Sequence, residues 1–353
     1  MSEGHVKIVD AIKKISQKKS LSTEEAEDVM KEIMSGKAQD SQLGALLTAL
    51  VMKGETIEEI TGFARIMRNF ANLIEPNVNG ELLDTCGTGG DEIKTFNIST
   101  ISALVVAGAG VPVAKHGNRA VTSKCGSADL LESLGIKIDL PPKDVQNCIE
   151  KIGIGFMFAP LFHPAMKFAM PTRRALKLRT VFNILGPLTN PANAKYHVLG
   201  VFQKDLAPVM AKVLYDLEAK HVYTVYNSCG IDELAPVGIN YITEYYKGKI
   251  ETCAITNKDF KIPDCSINDI LAGNLEENTK IALKILKNQD HSARFTTVLM
   301  NVALALKCAG IANDFEEGIS IAKNTIESGK AFDKLERFIE FSGGNKDNLK
   351  NYL

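Results

Sequence analysis

The sequence predicts an α/β protein in two parts: a small all-helical N-terminal domain, residues 1–73, and a larger α/β domain, residues 74–353, with a central, mostly parallel sheet. Three observations predict it. The first 70 residues carry helix signals throughout and contain no proline. After them "LIEPNVNG" brings in Pro, Asn and Gly as a linker, and short apolar runs then alternate with helical ones. The last 75 residues return to helical patterns, clearest in "TKIALKILKNQ" and "RFTTVLMNVALALKCAG".

In the N-terminal part, "STEEAEDVMKEIMSG" offers Ser22 as a helix N-cap with Glu25 three residues on and Gly36 as a stop. Thr56 and Glu59 repeat the device. Between them "QLGALLTALVMKG" is more apolar than one helix face requires, so it is either core or a subunit interface. In the second part the strand-like runs are Glu81 to Thr85, Val111 to Ala114, Ile136 to Ile138, Tyr196 to Phe202 and His221 to Tyr226. No repeat of fixed period and no low-complexity segment interrupts them.

Composition narrows the function. The chain has 353 residues, 45% hydrophobic and 24% charged, enough for two domains or one large one. A net charge of −1 with scattered Lys and Arg argues against a nucleic-acid partner. Seven cysteines with no CxxC spacing point to reduced thiols and a cytoplasmic protein. The longest apolar run, Ile101 to Ala114, is too short to span a bilayer, so no membrane partner is expected.

The densest signal is "DTCGTGGDEIKTFNIST", residues 84–100, where three glycines fall between a strand and a helix starting near Asn97. Helix N-termini have unpaired N–H groups, and glycine lets more of them approach a ligand, so this junction is an anion site, most naturally for phosphate. It is not a P-loop, because Glu92 and Ile93 stand where Gly and Lys are required; Glu92 also breaks the dinucleotide GxGxxG. A tight turn without a ligand is the plain alternative.

A second polar loop, "VAKHGNRAVTSKCGSADLLESLG", offers Lys115, His116, Asn118, Arg119, Ser123, Lys124 and Ser127 ahead of another helix. Two such junctions fit two anion groups, or one ligand with phosphates at both ends. "HPAMKFAMPTRRALKLRT" gathers Arg173, Arg174, Lys177 and Arg179, and an arginine fork could select a carboxylate substrate; a solvated basic face is the alternative for part of the cluster. "NSCGIDELAP" sets Asp232 beside Glu233 in a turn after a strand, where two carboxylates can hold Mg²⁺ alongside phosphates. "NILGPLTNPAN" reads as a rigid connection.

With "KHGNRAV…GSADLLESLG", "HPAMK…RR", "FNILGPLTNPA" and "GIDE" in this order, the chain resembles the anthranilate phosphoribosyltransferases, tryptophan-pathway enzymes, from its helical start to about residue 310. The resemblance implies a fold of the nucleoside phosphorylase and phosphoribosyltransferase type, a hinged cleft between the two domains, and a homodimer formed through the helical one. A helical segment near residues 165–185 is a candidate to join that domain. Carried over by position, Gly87, Gly90, Asp91, Thr95, Asn97, Ile98, Ser99 and Thr100 would contact phosphoribosyl pyrophosphate, with Lys115 and Ser127 helping. Ser99, Asp232 and Glu233 would serve Mg²⁺. Asn118 and Arg173 would hold anthranilate, and His116 and His163 would line its path. No residue is implied as a certain chemical catalyst; Asn118, Arg173 and His116 would position.

Three positions depart from the family pattern. Glu92 stands where a Gly commonly follows GTGGD, Cys125 where Ser is common, and Lys177 where Gly follows RRAL. Two rival readings stay open at this level: a pyrimidine-nucleoside phosphorylase-like enzyme, and a non-catalytic relative that binds nucleic acid or a partner protein.

Overall fold

The computed structural model describes residues 7–89, 93–120 and 125–352. The chain opens with α1 (Ile8–Ser16), α2 (Thr23–Met34), α3 (Asp40–Lys53) and α4 (Ile57–Asn69). Both sequence-predicted capping boxes form. Glu25 N donates to Ser22 Oγ at 3.2 Å and Glu59 N to Thr56 Oγ1 at 3.3 Å, while each Glu carboxylate receives the cap residue's own N–H. Glu59 is also buried, where it takes the Leu21 N–H and pairs with Lys53 at 2.9 Å.

The apolar run in α3, which the sequence leaves between core and interface, is divided by the structure. Leu43, Leu46, Leu47 and Leu50 are core within the single chain, Leu46 being 1% exposed. Val51 and Met52 point outward, Met52 at 82% exposure. The α1–α4 core continues into Ala169, Val181 to Leu188 and the buried side of α11 (Leu206–Asp216), so helices from two stretches of the chain share one interior.

The sheet has seven strands: β1 (Leu83–Gly87), β2 (Val113–Gly117), β3 (Ile154–Phe158), β4 (Tyr196–Gly200), β5 (His221–Asn227), β6 (Asn240–Tyr246) and β7 (Lys249–Ile255). Their order is β3-β2-β1-β4-β5-β6-β7, parallel through β5 and antiparallel beyond it. The order reverses between β1 and β4, and in such sheets ligands bind outside the strands' carboxyl ends at that switch point. The loops reaching it lead into α5 (Ile98–Gly108) and α6 (Ser127–Ser133). Next come α7 (Pro142–Ile152), α8 (Ala159–Phe162), α9 (Met170–Leu176) and α10 (Phe182–Leu185). The C-terminal helices α12 (Leu275–Leu286), α13 (Ala293–Cys308), α14 (Phe315–Glu327) and α15 (Lys330–Phe341) close one face, α13 and α15 packing on α5. Among the described residues no helix is long and apolar enough to cross a membrane.

Three strand readings change. Ile136 to Ile138 is not a strand: both isoleucines are buried, but Lys137 N donates to Ser342 Oγ, so the apolar run reports burial without sheet pairing. β3 escapes a sequence reading because glycines break up "KIGIGFMF". The β6–β7 hairpin escapes it as well, although Lys247 and Gly248 at its turn both have positive φ, as tight hairpin turns require.

Candidate active site

The site is built at the carboxyl ends of β1, β2, β4 and β5. Gly87 and Gly200 are register partners on β1 and β4, and both are bare for the same internal reason. A Cβ on Gly87 would lie 2.4 Å from Asp232 Oδ2, and one on Gly200 1.6 Å from the Asp232 carbonyl oxygen. What lies against Gly87 is therefore the Asp232 turn of the same chain. Gly89 needs glycine differently, since its φ of +63° is in the left-handed region. Gly90, Asp91 and Glu92 lie outside the described residues.

Asp232 and Glu233 reach two different parts of the glycine-rich motif. Asp232 Oδ2 accepts from Gly89 N at 3.1 Å, and Glu233 Oε1 accepts from Ser99 N, in the first turn of α5, at 2.9 Å. The turn is not a solvated one: Asp232 is 7% exposed, and burial raises its carboxyl pKa above the usual range. Asn301 of α13 braces the turn, accepting from Leu234 N at 3.1 Å and donating to Leu234 O at 2.8 Å. Lys115 is buried with its ammonium 2.6 Å from Thr85 O and 3.3 Å from Ser99 Oγ. A small, partly open cavity of about 20 Å³, bordered by Ser99, Ser102, Asp232, Glu233 and Asn301, has room for about one water.

Asn97 ties the two loops together, donating through Nδ2 to Cys125 O at 3.1 Å and through its N–H to Asn278 Oδ1 at 3.1 Å. Thr95 sits beside it in an isolated bridge to Leu271. Ile98 and Thr100 are buried, so any ligand contact from them comes from backbone. In the second loop Ser127 Oγ donates to Asn118 O at 3.3 Å, and Gly117 is bare because a Cβ would lie 2.2 Å from that hydroxyl. Asn118 is exposed. Arg119 is committed to Asp129 and Glu132. Asp129 also closes the loop by accepting from Ala120 N and Gly126 N, each at 2.9 Å.

On the other side, His116 at the end of β2 meets His163 after α8, ring centroids 4.9 Å apart. Burial lowers their pKa values to about 3 and about 4, so both are neutral at physiological pH. Each has a backbone carbonyl partner, Gly186 for His116 and Thr189 for His163, and each leaves Nε2 buried without a hydrogen bond. Arg173 lies on α9, half-buried, its guanidinium 5.2 Å from the Phe182 ring and Nη1 3.7 Å from Met170 Sδ. No carboxylate pairs with it among the described residues. Nor does any described hydrogen bond join it to Asn118, His116 or His163. Arg174 and Lys177 are on the solvated face, and Arg179 covers Phe202 at 4.6 Å.

Comparisons with known proteins place the fold in a family. Residues 79–332 match the α/β-domain model of a glycosyl transferase family, and residues 9–71 match that family's helical bundle domain. An anthranilate phosphoribosyltransferase of Persephonella marina is 47% identical over 96% of this chain and 99% of its own length. The chain belongs to the anthranilate phosphoribosyltransferase family.

The likeness extends across this family. The Methanosarcina mazei member is 47% identical over 96% of this chain and 90% of its own. The crystal structure of the Thermus thermophilus enzyme superposes with a TM-score of 0.88 at 40% identity, covering 94% of this chain and 99% of that one. The Saccharomyces cerevisiae enzyme in complex with PRPP and Mg has a TM-score of 0.88 at 28% identity, covering 95% and 98%.

Two of the three departures from the family pattern fall on described residues. Lys177 ends α9 in the left-handed region, φ 51°, which explains the family's glycine there. Cys125 is buried and its thiol pKa is pushed up to about 12, so it is inert in its thiol form. The sequence reading missed Asp84, Asp129, Asn190, Asn278 and Asn301. All support other groups from inside the fold; Asp84, Asp129 and Asn190 stand within the quoted motifs, where the sequence alone assigns them no role.

Proposed function

We propose that this chain transfers the phosphoribosyl group of phosphoribosyl pyrophosphate to the amine of anthranilate, with Mg²⁺, giving N-(5-phosphoribosyl)anthranilate and pyrophosphate, the second step of tryptophan synthesis from chorismate. One observation carries the reading from geometry: the glycine-rich motif and the Asp232–Glu233 turn, more than 130 residues apart, are hydrogen-bonded together at the switch point of the sheet. Family membership supplies the substrates.

The bond from the ribose C1 to the pyrophosphate oxygen breaks, the bond from the amine nitrogen to C1 forms, and the amine's extra proton passes to water. The amine is neutral and needs placing more than activating, so Asn118 and Arg173 act by positioning. The Arg173 guanidinium, lacking a carboxylate partner among the described residues, is matched to the substrate's. Neutral His116 and His163 can line that path without repelling or trapping charge.

Ser99, Asp232 and Glu233 form an all-oxygen donor set suited to Mg²⁺, and Gly87 and Gly200 leave space for Asp232. Among the described residues no cluster of three or more His, Cys, Asp or Glu could cage a metal alone, so the donor's phosphates would complete the shell. Bound there, the metal would spread the negative charge growing on pyrophosphate.

Residues 1–73, joined by the helical segment near 165–185, would form one wall of a closing cleft and carry a homodimer contact. Exposed Val51 and Met52 make the end of α3 a candidate for that contact. All seven cysteines are free, which fits a reducing cytoplasm. Because Leu46 is core, charging it would unfold the bundle; Met52→Asp is the proper test and should shift sedimentation from dimer to monomer. The activity is tested by loss of anthranilate fluorescence with phosphoribosyl pyrophosphate and Mg²⁺, against thymidine plus phosphate. Phosphorolysis of thymidine without loss of anthranilate would overturn the reading.

A further inference from the structure

β1 and β2 are neighbours, but their register holds a single pair, Leu83 with Val113, whereas β2–β3, β1–β4 and β4–β5 each hold five. Beyond that pair the two strands are joined by side chains. Asn190, from the connection after α10, is fully buried and donates through Nδ2 to Asp84 Oδ2 on β1 and to Ala114 O on β2, both at 2.8 Å. Its Oδ1 accepts from Ala192 N at 2.9 Å, which fixes the amide's orientation. One residue further along, the Lys115 ammonium of β2 reaches back to Thr85 O of β1. Two residues beyond these bridges, β1 ends at Gly87 and β2 at Gly117, where the two ligand loops begin.

We propose that Asn190 and Asp84 are positioning residues that hold β1 and β2 at a set separation and so fix the distance between the glycine-rich loop and the Lys115–Ser127 loop around the phosphoribosyl donor. The inference rests on the proposed reaction and adds two residues to it. Neither side chain is required to touch the substrate. They act through the backbone of Thr85 and through Lys115, whose buried ammonium also faces the Asp84 carboxylate. A polar bridge buried this completely costs desolvation that an apolar pair would not, so it is expected where spacing matters.

The test compares Asp84→Asn, which keeps the shape, and Asn190→Ala with the unaltered chain at pH 8, above the value of about 6 to which burial raises the Asp84 carboxyl. Binding of phosphoribosyl pyrophosphate with Mg²⁺ is measured by calorimetry, and KM is measured for each substrate. The donor dissociation constant and donor KM should rise at least tenfold while anthranilate KM stays within twofold. A donor KM within twofold of the unaltered chain, or both KM values rising together, would overturn the proposal. If Asn190→Ala does not fold, Asp84→Asn decides. An unaltered chain that neither binds the donor nor consumes anthranilate would instead sink the proposed reaction.

Discussion

On the proposed donor side of the site the charged groups are already bonded within the chain. Lys115 is held by Thr85 and Ser99, Asp232 by Gly89, and Glu233 by Ser99. Around the acceptor residues the polar capacity is left over: Nε2 of His116 and of His163 is buried without a partner, and Arg173 has no carboxylate among the described residues. The difference teaches where each kind of selectivity comes from. On the proposed function, a sugar carrying three phosphate groups would meet a frame set by internal bonds, whereas anthranilate would supply partners that the described residues do not, so a substrate lacking the carboxylate would leave Arg173 desolvated for nothing.

The largest effect should come from breaking the donor side at its carboxylates. Asp232→Asn with Glu233→Gln should lower kcat/KM at least a hundredfold, with partial recovery as Mg²⁺ is raised. Stability should move the other way or not at all. Burial raises the Asp232 pKa because it disfavours the charged carboxylate, a folding cost that Asn does not carry. A melting temperature that collapses would mean the turn braces the fold more than it serves the donor.

On the acceptor side the matching break is Arg173→Ala. A charge-assisted pair is worth about 1.5–3 kcal/mol, so anthranilate KM should rise roughly 10- to 150-fold, with donor KM nearly unchanged. Steady-state kinetics with each substrate varied separately reads the split, and equal rises would remove the assignment.

The two sides were not equally legible in the sequence. The glycine-rich run, the two helix junctions and the Asp-Glu pair could be read because each compresses one function into neighbouring residues. That Gly87 and Gly200 are bare to admit Asp232 could not be read, since the three come from different strand ends. The same limit hid Asn190 and Asn301, whose partners lie 106 and 67 residues away. The mostly parallel α/β sheet was legible as a class. Its membership was not: Ile136 to Ile138 has a strand's composition without a partner, and β3 has partners in an apolar run that Gly153 and Gly155 interrupt.

A smaller effect separates the sides by pH. Burial holds His116 and His197 near pKa 3 and His163 near 4, against an ordinary value of 6.5. The unfolded chain therefore takes up these protons first, and stability should fall as pH drops from about 6.5 toward 4. Asp84 opposes this, because its raised value near 6 lets the folded state hold a proton that the unfolded state lacks in most of that window. About two net protons remain from these four groups, or roughly 3 kcal/mol per pH unit near pH 5, and Asp232, its carboxyl also raised by burial, reduces the slope further. Melting temperature against pH measures the slope, and His163→Gln should flatten it by about one proton's share. A slope that His163→Gln leaves unchanged would place the acid sensitivity elsewhere than the acceptor side.

The smallest change tests whether the acceptor side is strained as well as unfilled. Lys177 ends the helix carrying Arg173 with φ 51° and ψ 27°, a conformation that costs a side chain with a Cβ about 1 kcal/mol and glycine almost nothing. Glycine in turn loses more freedom on folding, which offsets part of the gain. Lys177→Gly should therefore stabilise by about 0.5 kcal/mol and raise the melting temperature by about 0.7 °C in a chain of this size. The side chain is exposed and has no ion pair among the described residues, so little else is lost. Calorimetry on the pair reads the stability, and anthranilate KM reads the function. An unchanged KM with the small rise in melting temperature means the strain is local to the helix end. A KM that shifts several-fold means the left-handed stop sets how Arg173 is presented, and the acceptor side is then shaped by backbone strain as the donor side is by hydrogen bonds.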